Sequence, residues 1–304
     1  MPSIKNRIKL NPFSVGLGLI IFLIAAVLII SVYVGFSLLT PERQAVDEAP
    51  SSEFSYEEVQ FSSLDGEENL SGWFLEGEMS NGIIIFAHGY GQNRLVDEVG
   101  LSLAEDYLSE GYKVLMFDFR NSGESSGDRT TIGQYEKYDL LGAVEFVSSE
   151  YVEDNEPIIL HGFSMGAATA IIAGAEDSRV DGVIADSPFD DLFGYLEDNL
   201  SYWTGLPEFP FNYTILTLTP IVTDLDPDKV SPVKAVEDYD IPLLLIHGDE
   251  DETIPYEVSK YIKYASSDDK TELVIIPGAD HVVGYLEDRE KYMGSVFDFI
   301  DYFK

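Results

Sequence analysis

Ile158-Ile159-Leu160-His161-Gly162-Phe163-Ser164-Met165-Gly166-Ala167-Ala168-Thr169-Ala170 sets the architecture of the chain around it. An apolar run leads into Gly-x-Ser-x-Gly, and small residues continue to Gly174. That order predicts strand, sharp turn and helix. A pentapeptide in that setting reads as a nucleophile elbow, which lifts a serine hydroxyl above the end of a sheet. The serine must adopt a strained backbone conformation to be exposed there. Gly162 and Gly166 fit because a side chain two residues before or after would collide with its neighbours. A second pentapeptide, Gly123-Glu124-Ser125-Ser126-Gly127, matches the same pattern. Residues 118–121 separate it from its strand, and polar Asp128-Arg129-Thr130-Thr131 follows, so it reads as a loop. Ser164 is therefore the expected nucleophile.

Working outward, Ile83-Ile84-Ile85-Phe86 is a continuous apolar run, as expected for a strand buried on both faces. Comparable runs occupy residues 113–117, 182–185, 242–246 and 273–276. Helical spacing is expected over 95–110, 140–151, 256–264 and 286–303. Strands alternating with helices imply an α/β fold, a mostly parallel sheet with helices on both faces. Two earlier strands, near 56–61 and 70–75 with Asp65-Gly66 between them, read as an N-terminal antiparallel hairpin. The segment 189–240 is longer than one crossover helix needs. It carries Phe193, Tyr195, Tyr202, Trp203, Phe209, Phe211 and Tyr213 with several prolines. It is expected to be a lid insert supplying an apolar acyl pocket, or else a helix with a long irregular connection.

The chain has 304 residues, enough for one α/β domain plus an appendage. Cysteine is absent, which excludes disulfides, thiol catalysis and cysteine metal sites. The net charge is −37, although no acid precedes Glu42. Such a surface repels nucleic acid and anionic headgroups, so no nucleic-acid partner is expected. The acidity fits adaptation to salty or alkaline surroundings, and equally a host-wide bias without a specific role. Residues 14–40 carry no charge, and 19–30 are almost purely aliphatic. About twenty apolar residues span a bilayer as a helix. Lys5, Arg7 and Lys9 lie before the segment, and Glu42, Asp47 and Glu48 after it. The positive-inside rule then predicts an uncleaved, single-pass anchor in the cell membrane, with the catalytic domain extracytoplasmic. The alternative is a signal peptide, for which Gly35-Phe36-Ser37 is a poor cleavage site. The expected organisation is a cytoplasmic stub and transmembrane anchor over 1–40, a polar linker over 41–54 and a catalytic domain over 55–304.

A serine hydroxyl needs a base to take its proton, and the base needs a third group to orient it. His88, His161 and His247 each end a strand and precede glycine, so they read as packed residues. His281, in Gly278-Ala279-Asp280-His281, lies in the loop between the last strand and last helix and is the expected base. Asp251, in the loop after the penultimate strand, is the expected acid; Asp249 and Asp186 are the alternatives. Ser164, Asp251, His281 is the chain order of serine, acid and histidine used by the elbow-bearing fold. The oxyanion hole needs two N–H groups. Met165 follows the nucleophile, and Tyr90 lies in the loop His88-Gly89-Tyr90-Gly91-Gln92-Asn93 after the first buried parallel strand.

Together these residues resemble the α/β-hydrolase family over roughly residues 55–304. The matching stretches are the His88-Gly89 loop, Asp118-Phe119-Arg120-Asn121-Ser122-Gly123-Glu124-Ser125, the elbow, the Asp251 loop with Ile254-Pro255, and Ala279-Asp280-His281. The likeness is greatest to the bacterial branch related to serine aminopeptidases and to acyl-transferase or thioesterase C-terminal domains. Several members of that branch carry an N-terminal membrane segment. Where the family usually has Arg-Gly or Arg-His, this chain has Arg120-Asn121. The resemblance implies hydrolysis through an acyl-enzyme, on a substrate that the family leaves open among esters, thioesters and peptides.

Other motifs carry less. Asp224-Leu225-Asp226-Pro227-Asp228 opens like a calcium loop, but Lys229 stands where glycine is required and Ala235 where glutamate should close it. No phosphate loop or dinucleotide fingerprint appears; neither a cofactor nor a metal is expected. Three functions remain in view: a serine hydrolase acting on a small-molecule carboxylic ester or thioester, a serine peptidase or aminopeptidase using the same triad, and a non-catalytic tethered binding module.

Overall fold

Continuous aliphatic runs form the middle of one eight-stranded sheet in the computed structural model, which describes residues 11–303 apart from 52, 53, 78, 98, 154, 155, 239 and 267–269. Contacts divide the chain into two compact units: Leu38–Tyr195 with Leu225–Lys304, and Met1–Ser37 with Leu196–Asp224. Lys5, Arg7 and Lys9 lie outside the described residues.

The first element in the chain is helix α1 (Pro12–Leu39), long and apolar enough to cross a bilayer. Strands β1 (Ser55–Ser62) and β2 (Asn69–Glu76) form the expected antiparallel hairpin. Then come β3 (Ile83–Ala87), α2 (Gly100–Ser109), β4 (Lys113–Phe117) and α3 (Glu136–Glu150). The elbow segment supplies β5 (Ile158–Phe163) and α4 (Met165–Glu176), followed by β6 (Val180–Asp186). Helices α5 (Leu192–Thr204), α6 (Glu208–Val222) and α7 (Pro232–Ala235) occupy the insert. The chain ends with β7 (Leu243–Gly248), α8 (Glu257–Ala265), β8 (Thr271–Ile276), α9 (Gly284–Glu287) and α10 (Arg289–Ile300).

The strand order is β1-β2-β4-β3-β5-β6-β7-β8. β2 is antiparallel to β4, and every pairing from β4 onward is parallel. β3, β4, β5 and β7 are buried along their whole length, which is why their sequences are continuous apolar runs rather than alternating ones. Ile84, Phe86, Ile159, Ile184 and Leu244 share one core with Leu103 and Tyr107 of α2 and Tyr292, Val296 and Phe299 of α10. Their neighbours Ile83, Ile85, Leu160, Val183 and Leu245 are equally buried and, by strand alternation, face the opposite side.

Two helices begin or break where periodicity alone does not predict. The helix expected from residue 95 starts at Gly100, because Val96 and Asp97 have positive φ (49° and 52°). A Cβ on Gly100 would sit 2.2 Å from the Leu95 carbonyl oxygen. The expected last helix divides at Asp288, whose backbone is non-helical (φ −145°, ψ 77°) and whose side chain caps α10 by accepting from the Lys291 N–H.

In the smaller unit, α1 packs against α6. The Ser31 and Thr214 hydroxyls share a hydrogen bond of 2.6 Å. The Asn212 side-chain amide of α6 donates to the Glu197 carbonyl of α5.

Candidate active site

β5, β7 and β8 run parallel, so their C-terminal ends share one edge of the sheet. Loops at that edge are where an α/β sheet usually binds its ligand. Ser164 follows β5 directly. Its backbone is at φ 53°, ψ −115°, a conformation that non-glycine residues rarely adopt. Its N–H donates to the Asp186 carbonyl of β6 at 2.8 Å, which helps hold the turn. A Cβ on Gly162 would lie 2.3 Å from the Gly166 carbonyl oxygen, and one on Gly166 would lie 1.9 Å from that of Ala87. Both glycines are therefore obligatory.

His281, in the loop between β8 and α9, brings Nε2 to 2.9 Å from Ser164 Oγ. Its Nδ1 lies 2.7 Å from Asp251 Oδ2. A carboxylate only accepts, so Nδ1 carries the proton and Nε2 is left to accept from the serine hydroxyl. The Asp251 side chain is fully buried, and the imidazole is about one-fifth exposed. Burial pushes the Asp251 carboxyl up, but hydrogen bonds from His247 and His281 outweigh it and hold the group well below the usual carboxylate range. The carboxylate is well supplied with donors. Oδ1 accepts from the Thr253 and Ile254 N–H groups at 2.9 and 2.8 Å. Oδ2 also accepts from His247 Nε2 at 3.1 Å.

The other two acids are engaged elsewhere. Asp249 Oδ1 accepts from the Gly278 N–H at 2.6 Å, tying the acid loop to the histidine loop. Asp186 accepts from the Tyr292 and Ser187 hydroxyls, and burial raises its carboxyl above the ordinary value. The remaining histidines are packed and hydrogen-bonded. His88 Nε2 accepts from the Phe119 N–H. His161 lies between the Tyr107 and Tyr292 hydroxyls, and burial lowers it to about 3. His247 accepts from Ser259 through Nδ1 and donates through Nε2 to the Ile254 carbonyl as well as to Asp251. Its contact with Asp251 escaped sequence reasoning, although a histidine at the end of β7 four residues before that aspartate was a usable signal.

Met165 is the first residue of α4, so its N–H has no carbonyl within the helix to donate to. The Tyr90 side chain turns to donate to the Leu38 carbonyl at 2.7 Å. Just before it in the chain, the Gly89 N–H is already taken by Gln92 Oε1. Ser125 of the second pentapeptide is buried. Its hydroxyl donates to the Asp118 carbonyl at 2.6 Å and accepts from the Ser71 N–H at 2.9 Å. Among the described residues no group of three or more His, Asp or Glu side chains is arranged to hold a metal ion.

Comparison with known proteins adds to this geometry. The model of the prolyl oligopeptidase family matches residues 101–303. The uncharacterized protein YqkD of Bacillus subtilis is 29% identical over 235 residues, covering 77% of this chain and 75% of YqkD. The thiohydrolase aneE of Aspergillus aculeatus is 37% identical over 138 residues, 45% of this chain and 42% of aneE. Among solved structures, the Pyrococcus furiosus esterase Pf2001 superposes with a TM-score of 0.74 at 28% identity. That match covers 87% of this chain and 97% of the esterase.

Proposed function

The chain belongs to the prolyl oligopeptidase family, and from that premise we propose that this serine hydrolase of the α/β-hydrolase fold cleaves a carboxylic ester or thioester through an acyl-enzyme. The observation that carries the reading is the relay of hydrogen bonds from Ser164 Oγ through His281 to Asp251. Ser164 attacks the acyl carbon while His281 Nε2 takes its proton. Asp251 keeps the imidazole in the tautomer that can accept, and offsets the charge of the imidazolium that forms. His281 then returns the proton to the departing alcohol or thiol. Water repeats the sequence on the acyl-enzyme. The Met165 and Tyr90 N–H groups are the proposed donors to the oxyanion, where preorganised donors lower the barrier most.

The names of the thiohydrolase and the esterase favour an oxygen or sulfur leaving group. The family's own name favours a second reading, a peptidase or aminopeptidase on the same three residues. The full chain in detergent, assayed on p-nitrophenyl esters and on aminoacyl-nitroanilides, distinguishes them. The ester reading expects kcat/KM to be far higher on the esters, and a clear preference for the nitroanilides overturns it.

The same proposal takes α1 as an uncleaved single-pass anchor, with 41–54 as a linker and the catalytic domain extracytoplasmic. Its support is the length and apolarity of α1 and the basic residues Lys5, Arg7 and Lys9 before it. Protease added outside intact spheroplasts is expected to digest the catalytic domain; protection of that domain contradicts the orientation.

A further inference from the structure

Helix α6 has two faces, and neither is the charged face that a surface helix normally turns to water. Asn212, Ile215, Leu216 and Thr219 are buried. The opposite stripe carries Tyr213 and Ile221, which are 71% and 72% exposed, and Phe209, at a non-helical break (φ −97°, ψ 128°) just before it, is 84% exposed. No residue from Phe209 to Thr223 is charged, in a chain whose net charge is −37. The end of α5 adds Tyr202, 84% exposed, and the amphipathic ring of Trp203. Aromatic side chains of this kind collect at the membrane–water boundary.

The contact between α6 and α1 sets the depth at which this stripe sits. Ser31 meets Thr214, and a Cβ on Gly35 would come within 2.6 Å of Thr219 Oγ1. Ser31 and Gly35 are four residues apart and are buried, whereas the surrounding α1 side chains are largely exposed. That is the small-xxx-small spacing that lets membrane helices approach closely. The 28 residues of α1 measure about 42 Å, and Ser31 lies about 12 Å from the Leu39 end. A hydrocarbon core is about 30 Å thick. If α1 crosses the bilayer, residues paired with Ser31 and Gly35 lie within the leaflet nearer Leu39. Glu208 and Asp224 bracket the uncharged stretch at its two ends.

We propose that α6 and the end of α5 lie in the outer leaflet of a phospholipid bilayer beside α1, so that the chain is held by an embedded helical hairpin as well as by a spanning helix. The inference rests on the reading of α1 as a membrane anchor. Zwitterionic lipid is the fitting partner, because the acidic remainder of the chain repels anionic headgroups.

The absence of cysteine makes the test direct. Single-cysteine variants Phe209→Cys, Tyr213→Cys and Ile221→Cys of the full chain are spin-labelled and reconstituted in phosphatidylcholine vesicles. Phe22→Cys on α1 and Tyr264→Cys on α8, both at highly exposed positions, are the references for lipid and water. The collision rates of each label with oxygen and with a water-soluble nickel chelate are then compared. The proposal expects oxygen to exceed the chelate several-fold at 209, 213 and 221, as at 22, with the reverse at 264. Chelate exceeding oxygen at the three α6 sites, while 22 stays in lipid, overturns the inference and leaves the anchor standing. Low rates with both reagents at those sites mark burial against a second copy and also overturn it. A water-exposed label at 22 removes the anchor and this inference with it.

Discussion

Two pentapeptides with the same Gly-x-Ser-x-Gly pattern fold to different ends. At Gly162–Gly166 the serine sits between a strand and a helix, at φ 53°, with its hydroxyl 2.9 Å from an imidazole. At Gly123–Gly127 the serine is buried in a loop. Its hydroxyl is engaged by the Asp118 carbonyl and the Ser71 N–H. That loop also serves as a dock. The Arg43 guanidinium donates to the Ser125 carbonyl at 2.6 Å and to the Gly127 carbonyl at 2.9 Å, so a residue of the expected linker is held against it. The two settings differ in what flanks the motif. A strand that ends and a helix that begins meet in the positive-φ turn, and there the Ser164 hydroxyl faces His281.

The contrast is broken most severely by Ser164→Ala, which is expected to lower kcat on a p-nitrophenyl ester by roughly 10⁶-fold, as loss of a triad nucleophile does elsewhere. Ser125→Ala should leave kcat within about twofold, since its hydroxyl meets no base. A comparable loss in both variants would erase the distinction. Asp251→Asn is next in size. It is expected to cost roughly 10⁴ in kcat by stabilising the wrong imidazole tautomer. Steady-state kinetics at one pH reads both effects.

Ser125→Ala sharpens the comparison from the other side. Removing its hydroxyl leaves the buried Ser71 N–H without an acceptor, which should destabilise the fold by about 1–3 kcal/mol in urea titrations. An unchanged midpoint would mean that the loop does not depend on this bond. The smallest effect is in pH. The folded Asp251 carboxyl is held below its ordinary value, so the stability it contributes is present above about pH 4 and is lost as pH falls through the folded value. The difference in Tm between the natural chain and Asp251→Asn should therefore be widest near neutral pH and narrow below about pH 4. The Ser125→Ala difference should show no such trend.

Much of this was legible in the chain. Apolar runs marked the buried parallel strands because a strand covered on both faces has no polar side to reveal. The turn at Ser164 was legible from its flanking strand and helix, and the meeting of the candidate residues Ser164, His281 and Asp251 from loops that had to lie at one edge of the sheet. The Arg120-Asn121 departure also has a physical account. Asn121 adopts φ 57°, a region open to glycine and tolerated by asparagine. What escaped depended on long-range pairing. No local pattern predicts that β2 pairs with β4 or that Ser31 meets Thr214. The break at Asp288 escaped because a capping aspartate within a periodic stretch looks like an exposed helical residue.

A fluorophosphonate probe with peptide mapping of the labelled site, applied to the natural chain, Ser164→Ala and Ser125→Ala, asks which serine is the nucleophile. Label is expected on the Ser164 peptide in the natural chain and in Ser125→Ala, and none in Ser164→Ala. Label that persists in Ser164→Ala, or that maps to the Ser125 peptide, would contradict it.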